Sequence, residues 1–383
     1  MQSLQLFNDA RPRTLTDKLW RIDWTLLAVV VVIGAIGTAT LVSVGGGSYQ
    51  PWAERHALRV VVGIGLVIVM ALVPLGVWLR LSYPAFFAGL ALLALVPLVG
   101  QEALGAKRWL AFGGMSFQPS EVVKIALVAA LARYYQTLPP ADVSKPLKVL
   151  PPLVMILAPM LLTLRQPDLG TSLLIAFTGF GLMFLAGVSW LYYIGGAVGA
   201  FGALPFVIER LHGYQRRRLE VFLEPEKDPL GAGYHITQSK IALGSGGVTG
   251  RGYMQGTQSQ LDFVPEKHTD FIFANLGEEW GFIGTIVVVA LFAALVGLVL
   301  LRALRARSPF ARLLLAGFAL SVLVYAGINM AMVTGVAPVV GVPLPFVSYG
   351  GTSMLSLMVL LGLAMSGHVH GHDRLPGAGP PRV

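Results

Sequence analysis

The sequence predicts an all-α polytopic membrane protein with about ten transmembrane helices, a large structured extracellular loop and both termini in the cytoplasm. Three observations predict it. Apolar residues make up 55% of the chain and charged residues only 12%, against roughly 25% charged in a soluble domain. The apolar residues gather into stretches of the roughly 20 residues that a helix needs to cross hydrocarbon. The basic residues between those stretches alternate in density, as they do in loops on the two sides of a membrane.

In chain order, residues 1–21 form a basic cytoplasmic segment carrying Arg11, Arg13, Lys18 and Arg21. No small-residue cleavage site follows it, so it is expected to stay on the chain rather than act as a cleaved signal. Spans are expected at 22–44, 57–79, 83–101, 119–137, 149–165, 168–187, 190–209, 270–301, 310–335 and 349–367. Pro151, Pro152 and Pro159 interrupt the fifth, which a bundle tolerates where neighbouring helices satisfy the freed backbone. With the N-terminus inside, fourteen Lys and Arg fall in cytoplasmic segments, against Arg55, Arg59, Lys107, Arg108 and Arg165 in the short outer connections. The membrane domain is thus 22–367 and the cytoplasmic tail 368–383, with no internal repeat and no separate soluble domain. A net charge of +9 reflects basic loops beside anionic lipid, so no nucleic-acid partner is expected. The absence of Cys excludes disulfide and thiolate chemistry.

The loops 102–118, 210–269 and 336–348 then lie outside. The long one holds aromatics and apolar periodicity, with short amphipathic helices expected at 214–224 and 234–243 on the outer membrane surface. Its glycine-rich run 244–256 has the composition of a backbone cradle for anions.

Ionisable groups at helix mouths mark candidate chemistry, because lipid penalises them. Asp270 opens the eighth span beside Lys267 and His268, which are placed to order a carboxylate or bind an anion. Capping of the helix N-terminus is the plain alternative for Asp270. Asp262 and Glu266 read as solvated loop charges. Glu278 and Glu279 point about 80° and about 180° from Asp270 around a helix, so pairing with an Arg or Lys of another helix is expected for at least one. Lys107, Arg108 and Trp109 precede Gln118, Pro119, Ser120, Glu121 and Lys124. Pro119 suits a first helical turn, and Glu121 and Lys124 share a face at i, i+3. They form either a private salt bridge or a phosphate site at the interface. Asp168 sits in a tight outer turn as a helix cap. The run Pro343–Ser353, with Ser348 and Tyr349, reads as irregular backbone lining a cavity. His368, His370 and His372 read as exposed tail rather than a metal site.

These segments carry a resemblance. KRWLAFGGMSFQPSEVVKIAL, RQPDLGTS, GYHITQSKIALGSGGVTGRGY, GTQSQLDFVPEKHTDFIFANLGEEWGFIG and GVPLPFVSYGGTS closely resemble the SEDS family (shape, elongation, division and sporulation proteins) over nearly all of the membrane region. GTQSQLDFVPEKHTDFIF is similar to elongation-type members; division-type members usually carry a more Lys- and Tyr-containing segment before the Pro-Glu. The resemblance implies a peptidoglycan glycosyltransferase that polymerises lipid II at the outer face of the bacterial cytoplasmic membrane. It also implies a complex with a class B penicillin-binding protein and other elongation-complex membrane proteins. The family's essential aspartate falls on Asp270, and its fourth-span Glu and Lys on Glu121 and Lys124. The same motifs make Arg108, Trp109, Gln118, Ser120, Asp168, His268, Ser348 and Tyr349 substrate-site candidates. The leaving pyrophosphate would be stabilised by Arg108, Lys124 or a divalent cation, Mg or Mn. A lipid II flippase would use similar charges but favours internal repeats and midplane sites, and a non-catalytic scaffold would leave Asp270 without a role.

Overall fold

The computed structural model describes residues 14–103, 106–112, 115–209, 221, 224, 231–264 and 266–371. Helices stand at all ten places where the apolar stretches fall: α2 (Trp24–Val44), α3 (Ala53–Leu72), α4 (Leu75–Val99), α5 (Pro119–Gln136), α6 (Pro146–Arg165), α7 (Leu169–Leu185), α8 (Trp190–Glu209), α11 (Ile272–Arg305), α12 (Pro309–Val333) and α13 (Gly351–Val369). A short α1 (Leu15–Trp20) precedes them, and α9 (Ala232–Ser245) and α10 (Thr257–Gln260) lie between α8 and α11. Among the described residues, seven helices are long and apolar enough to cross a membrane. α7 is apolar but has only 17 residues, and α5 carries Glu121, Lys124 and Arg133. The protein is a multi-pass membrane protein.

Contacts join the helix ends that the alternation puts on one side. On the cytoplasmic side Arg302 Nε meets Asp23 Oδ2 at 2.5 Å, linking the end of α11 to the N-cap of α2, and Tyr192 OH donates to Ser144 O at 2.9 Å. On the outer side Trp52 stacks on His268 and Arg108 reaches the α6–α7 turn.

α12 is the centre of the bundle, packing on α5, α7, α9, α11 and α13, while α3 runs along α13. The apolar windows of α12 and α13 are 67% buried, against 28% for α3, α4 and α6. The outer helices accordingly expose Val61, Val69, Phe87 and Val154, as helices do where lipid tails are as apolar as the side chains. The three prolines of the fifth span sit inside an unbroken α6.

Five features depart from expectation. Residues 101–117 fold as an antiparallel sheet in the order β1 (Gln101–Ala103), β2 (Ala106–Phe112), β3 (Met115–Phe117); strands this short leave little alternation to read. α3 begins at Ala53, so Arg55 and Arg59 belong to a helix rather than a connection.

The helix expected at 234–243 is α9, but it packs on α11 and α12, with Ile236, Ser239 and Ala242 buried. Ser239 Oγ donates to Val333 O at 2.7 Å, which fixes α9 to the bundle. The helix expected at 214–224 lies outside the described residues except for Val221 and Glu224. α13 continues to Val369 and His370 is its buried C-cap, so only His368 of this pair is exposed; His372 lies outside the described residues.

The fifth departure is in α11. Gly281, at φ 67° and ψ −164°, interrupts the helix, in backbone space that only glycine occupies readily. A break leaves carbonyls orphaned on one side and N–H groups on the other. The glycine-rich run satisfies both. Arg251 and Gly252 N–H donate to Glu278 O and Glu279 O, each at 3.0 Å, while Phe282 and Ile283 N–H donate to Gly247 O and Val248 O at 2.9 and 3.1 Å. A Cβ on Gly250 would lie 2.1 Å from Glu279 O, and one on Gly281 2.2 Å from Gly250 N. The run is therefore a splint for a broken helix rather than an anion cradle.

Candidate active site

Two polar clusters form at the outer ends of the helices. The first is built on α5. Pro119 occupies the first helical turn and Glu121 lies at its positive end. Lys124 Nζ donates to Glu121 Oε1 at 2.8 Å and also to Tyr325 OH of α12, over whose ring it sits at 4.7 Å. Ser356 Oγ of α13 donates to Glu121 Oε2 at 2.5 Å. The pair is thus shared among three helices. Beside it Lys124, Thr178, Ser321, Tyr325 and Ser356 line a cavity with room for about one water molecule.

Asp168 stands above this cluster as the N-cap of α7, its Oδ1 accepting Thr171 N–H at 3.0 Å and its Oδ2 the Thr171 hydroxyl at 2.9 Å. Gln118 Nε2 also donates to Oδ2, at 3.4 Å. Arg108 on β2 spends its guanidinium on the same turn, Nε donating to Gln166 O at 3.3 Å and Nη2 to Pro167 O at 2.5 Å. Trp109 is partly buried opposite Gln101. Ser120 is buried with its hydroxyl unpartnered.

The second cluster surrounds Asp270. This residue lies in a turn; the N-cap of α11 is Phe271, and no side chain caps it. Asp270 thus lies just before the N-cap position rather than in it. His268 stacks on Trp52 with ring centroids 4.8 Å apart. Burial, with Lys267 adding, outweighs Glu266 and holds the imidazole below its ordinary pKa, and so neutral near pH 7. Ser348 Oγ donates to Thr269 O at 2.6 Å, and Tyr349 N–H donates to His268 O at 2.9 Å, so the irregular segment before α13 is sewn to the Asp270 turn. That segment is buried in protein at Val342, Leu344, Phe346 and Val347. Lys267 is tied to Asp262 Oδ1 at 2.7 Å and to Ser259 O at 2.7 Å, which removes it as a free anion binder and makes Asp262 an ion-pair partner rather than only a solvated charge.

α12 connects the clusters. Tyr325 meets Lys124, and Asn329 Nδ2 donates to Asp270 O at 2.8 Å and Val342 O at 2.7 Å. The two residues are one turn apart on one helix face, about 6 Å along the axis. The segment Val340–Val342 bridges the same gap: a Cβ on Gly170, beside the Asp168 cap, would lie 2.5 Å from Val340 O, and one on Gly341 3.6 Å from Asp270 Oδ2. Sequence reasoning missed Tyr325, Asn329 and Ser356. Its available signal was polar residues four apart within an apolar stretch.

Glu278 and Glu279 depart from the expected pairing. Glu278 is fully buried and accepts Gln258 N–H at 2.8 Å, Ser259 N–H at 3.2 Å and the Thr257 hydroxyl at 3.2 Å, holding α10. Glu279 accepts from the Ser43 hydroxyl. Both carboxylates are met by backbone amides and hydroxyls rather than by a cation of another helix.

Fold and site define a multi-pass membrane protein whose chemistry-bearing groups gather between helices at the outer end of the bundle. The chain belongs to the cell cycle protein family of FtsW, RodA and SpoVE, whose sequence profile matches residues 17–372. It is 42% identical over 362 residues to the peptidoglycan glycosyltransferase MrdB of Escherichia coli K12, covering 94% of this chain and 96% of that relative. A probable peptidoglycan glycosyltransferase FtsW of Trichlorobacter lovleyi is 35% identical over 364 residues, covering 91% and 93%. A chain in a solved peptidoglycan synthase complex, described as coordinating polymerization and crosslinking, is 30% identical with a TM-score of 0.80, covering 92% of this chain and 99% of that one. The crystal structure of Thermus thermophilus RodA is 28% identical with a TM-score of 0.69, covering 92% and 98%.

Proposed function

We propose that this protein is a peptidoglycan glycosyltransferase that polymerises lipid II at the outer face of the cytoplasmic membrane during cell elongation. The observation that carries this reading is that the Asp270 turn and the Glu121–Lys124 pair meet Asn329 and Tyr325, which lie one turn apart on a single face of α12. The acceptor 4-hydroxyl attacks the anomeric carbon of the donor sugar. Its proton passes to the Asp270 carboxylate as the new C–O bond forms. The bond from the anomeric carbon to the phosphate oxygen breaks, and its electron pair leaves with polyprenyl pyrophosphate. General-base catalysis of this kind is worth about 10²–10⁴-fold, and stabilising the leaving charge commonly contributes more. The Glu121–Lys124–Tyr325–Ser356 network holds α5, α12 and α13 in register beneath the reacting carboxylate. Gln118, Ser120, Trp109, Asp168, Ser348, Tyr349 and His268 surround the substrate.

Among the described residues no group of three His, Asp or Glu side chains could hold a metal. A hard cation such as Mg would be held by one or two carboxylates together with the substrate's phosphates, and the proposed steps do not pass through one. The partner in this reading is a class B penicillin-binding protein that crosslinks the nascent strand. The test is purified protein given lipid II in the presence of a penicillin, with and without that partner. Penicillin-insensitive glycan chains are expected; lipid II moved across vesicles without polymer would favour a flippase instead.

A further inference from the structure

Arg59 is a partly buried cation that no carboxylate of either cluster neutralises among the described residues. It lies on the seventh residue of α3, about 9 Å along the helix from Ala53, yet no carboxylate pairs with it among the described residues, and its Nη1 is buried with no partner. Three other basic candidates are engaged, Lys124 by Glu121 and Tyr325, Lys267 by Asp262 and Ser259, and Arg108 by the carbonyls of the α6–α7 turn, and Lys107 is exposed on β2. What holds Arg59 is the face of Tyr349, with Cζ 4.5 Å from the ring centre and Nη2 3.4 Å from the hydroxyl. That platform positions a guanidinium without neutralising it.

A second observation points the same way. The guanidinium stands at the N-terminus of the 19-residue α13, where a Cβ on Gly351 would come within 2.9 Å of Arg59 Cζ. No side chain caps that terminus, and the first intrahelical bond is Met354 N–H to Gly350 O at 3.0 Å. The N–H groups of the first turn and the positive end of the helix therefore face the same space as the unpaired Arg59. Two uncompensated positive sources meet there, which is how helix termini bind phosphates. Tyr349 and Ser348 fasten this place to the Asp270 turn.

We propose that Arg59 and the first turn of α13 bind the pyrophosphate of a polyprenyl-linked substrate, with Arg59 contacting phosphate oxygens and Tyr349 as its positioning residue. The inference rests on the glycosyltransferase reading and adds to it a seat for the anionic group.

The probe is polyprenyl pyrophosphate binding to the purified full chain in nanodiscs of phosphatidylcholine, alongside lipid II polymerisation. Arg59→Gln should weaken probe binding at least tenfold and raise KM for lipid II, while Asp270→Asn binds the probe as wild type does and makes no polymer. Arg59→Lys, which keeps the charge without the planar fork, should recover part of the binding. Gly351→Ala, which keeps Arg59 but crowds its guanidinium, should weaken binding severalfold, so the inference stays testable if Arg59→Gln does not fold. Wild-type binding in Arg59→Gln or Gly351→Ala overturns the assignment while leaving the glycosyltransferase reading intact; wild-type protein without polymer overturns that reading instead. Equal displacement of the probe by phosphatidylglycerol would mean that an anionic lipid headgroup fills the seat, which also overturns the proposal.

Discussion

Glu121 shows how little of its charge is free once the structure is known. One oxygen accepts from Lys124, the other from Ser356, and Lys124 turns its remaining reach to Tyr325. Of the two readings the sequence left open, this geometry supports the structural brace over a phosphate contact. Breaking a buried pair by removing one partner costs about 3–5 kcal/mol, because the other charge stays behind. Glu121→Gln and Lys124→Met should therefore each lower the thermal unfolding midpoint in detergent, and the double variant should recover much of the loss. A double variant as unstable as the sum of the singles would show that the two groups act apart.

At the scale of elements, the break in α11 sets the direction of the segment that follows the Asp270 turn. Gly281 holds a conformation costing other residues about 1–3 kcal/mol in backbone strain alone, and a Cβ would also strike Gly250. Gly281→Ala should destabilise the protein by at least that strain, measured by denaturant unfolding, and should release the 246–252 loop to proteolysis. Unchanged protection of that loop would contradict its role as a splint. The ten helices were legible because an apolar stretch of helical length is a local signal. The break was not, since GEEWGFIG reads as continuous helix, and the loop that compensates for it lies some 30 residues upstream. The pairing of Glu278 and Glu279 was hidden for the same reason: their partners are amides and hydroxyls exposed by loop conformation, which leave no charge pattern. Asp168 as a cap and Glu121 beside Lys124 were visible because both are local in sequence. Tyr325 and Asn329 were not, because nothing along α12 says which face meets α5 and the Asp270 turn.

For the molecule as a whole, the central place of α12 means that it has little surface left to offer a partner, with Leu323 its one large exposed hydrophobic residue among those described. α11 instead exposes Phe282, Ile283, Ile286, Val287, Leu300, Leu301 and Leu304, a stripe at helical spacing. Site-specific crosslinking of the purified complex should give signals to the membrane span of the proposed penicillin-binding partner that repeat along this stripe; strong crosslinks confined to other helices would move the interface. The proposed chemistry nevertheless turns on one carboxylate. Because Phe271 rather than Asp270 occupies the N-cap position of α11, and Asn keeps the size and capping ability of Asp, Asp270→Asn is expected to fold and to assemble with the proposed partner. In a lipid II polymerisation assay with penicillin present, this variant should yield no glycan chains while keeping the wild-type unfolding midpoint. Glycan yield at the wild-type level from Asp270→Asn would contradict the account.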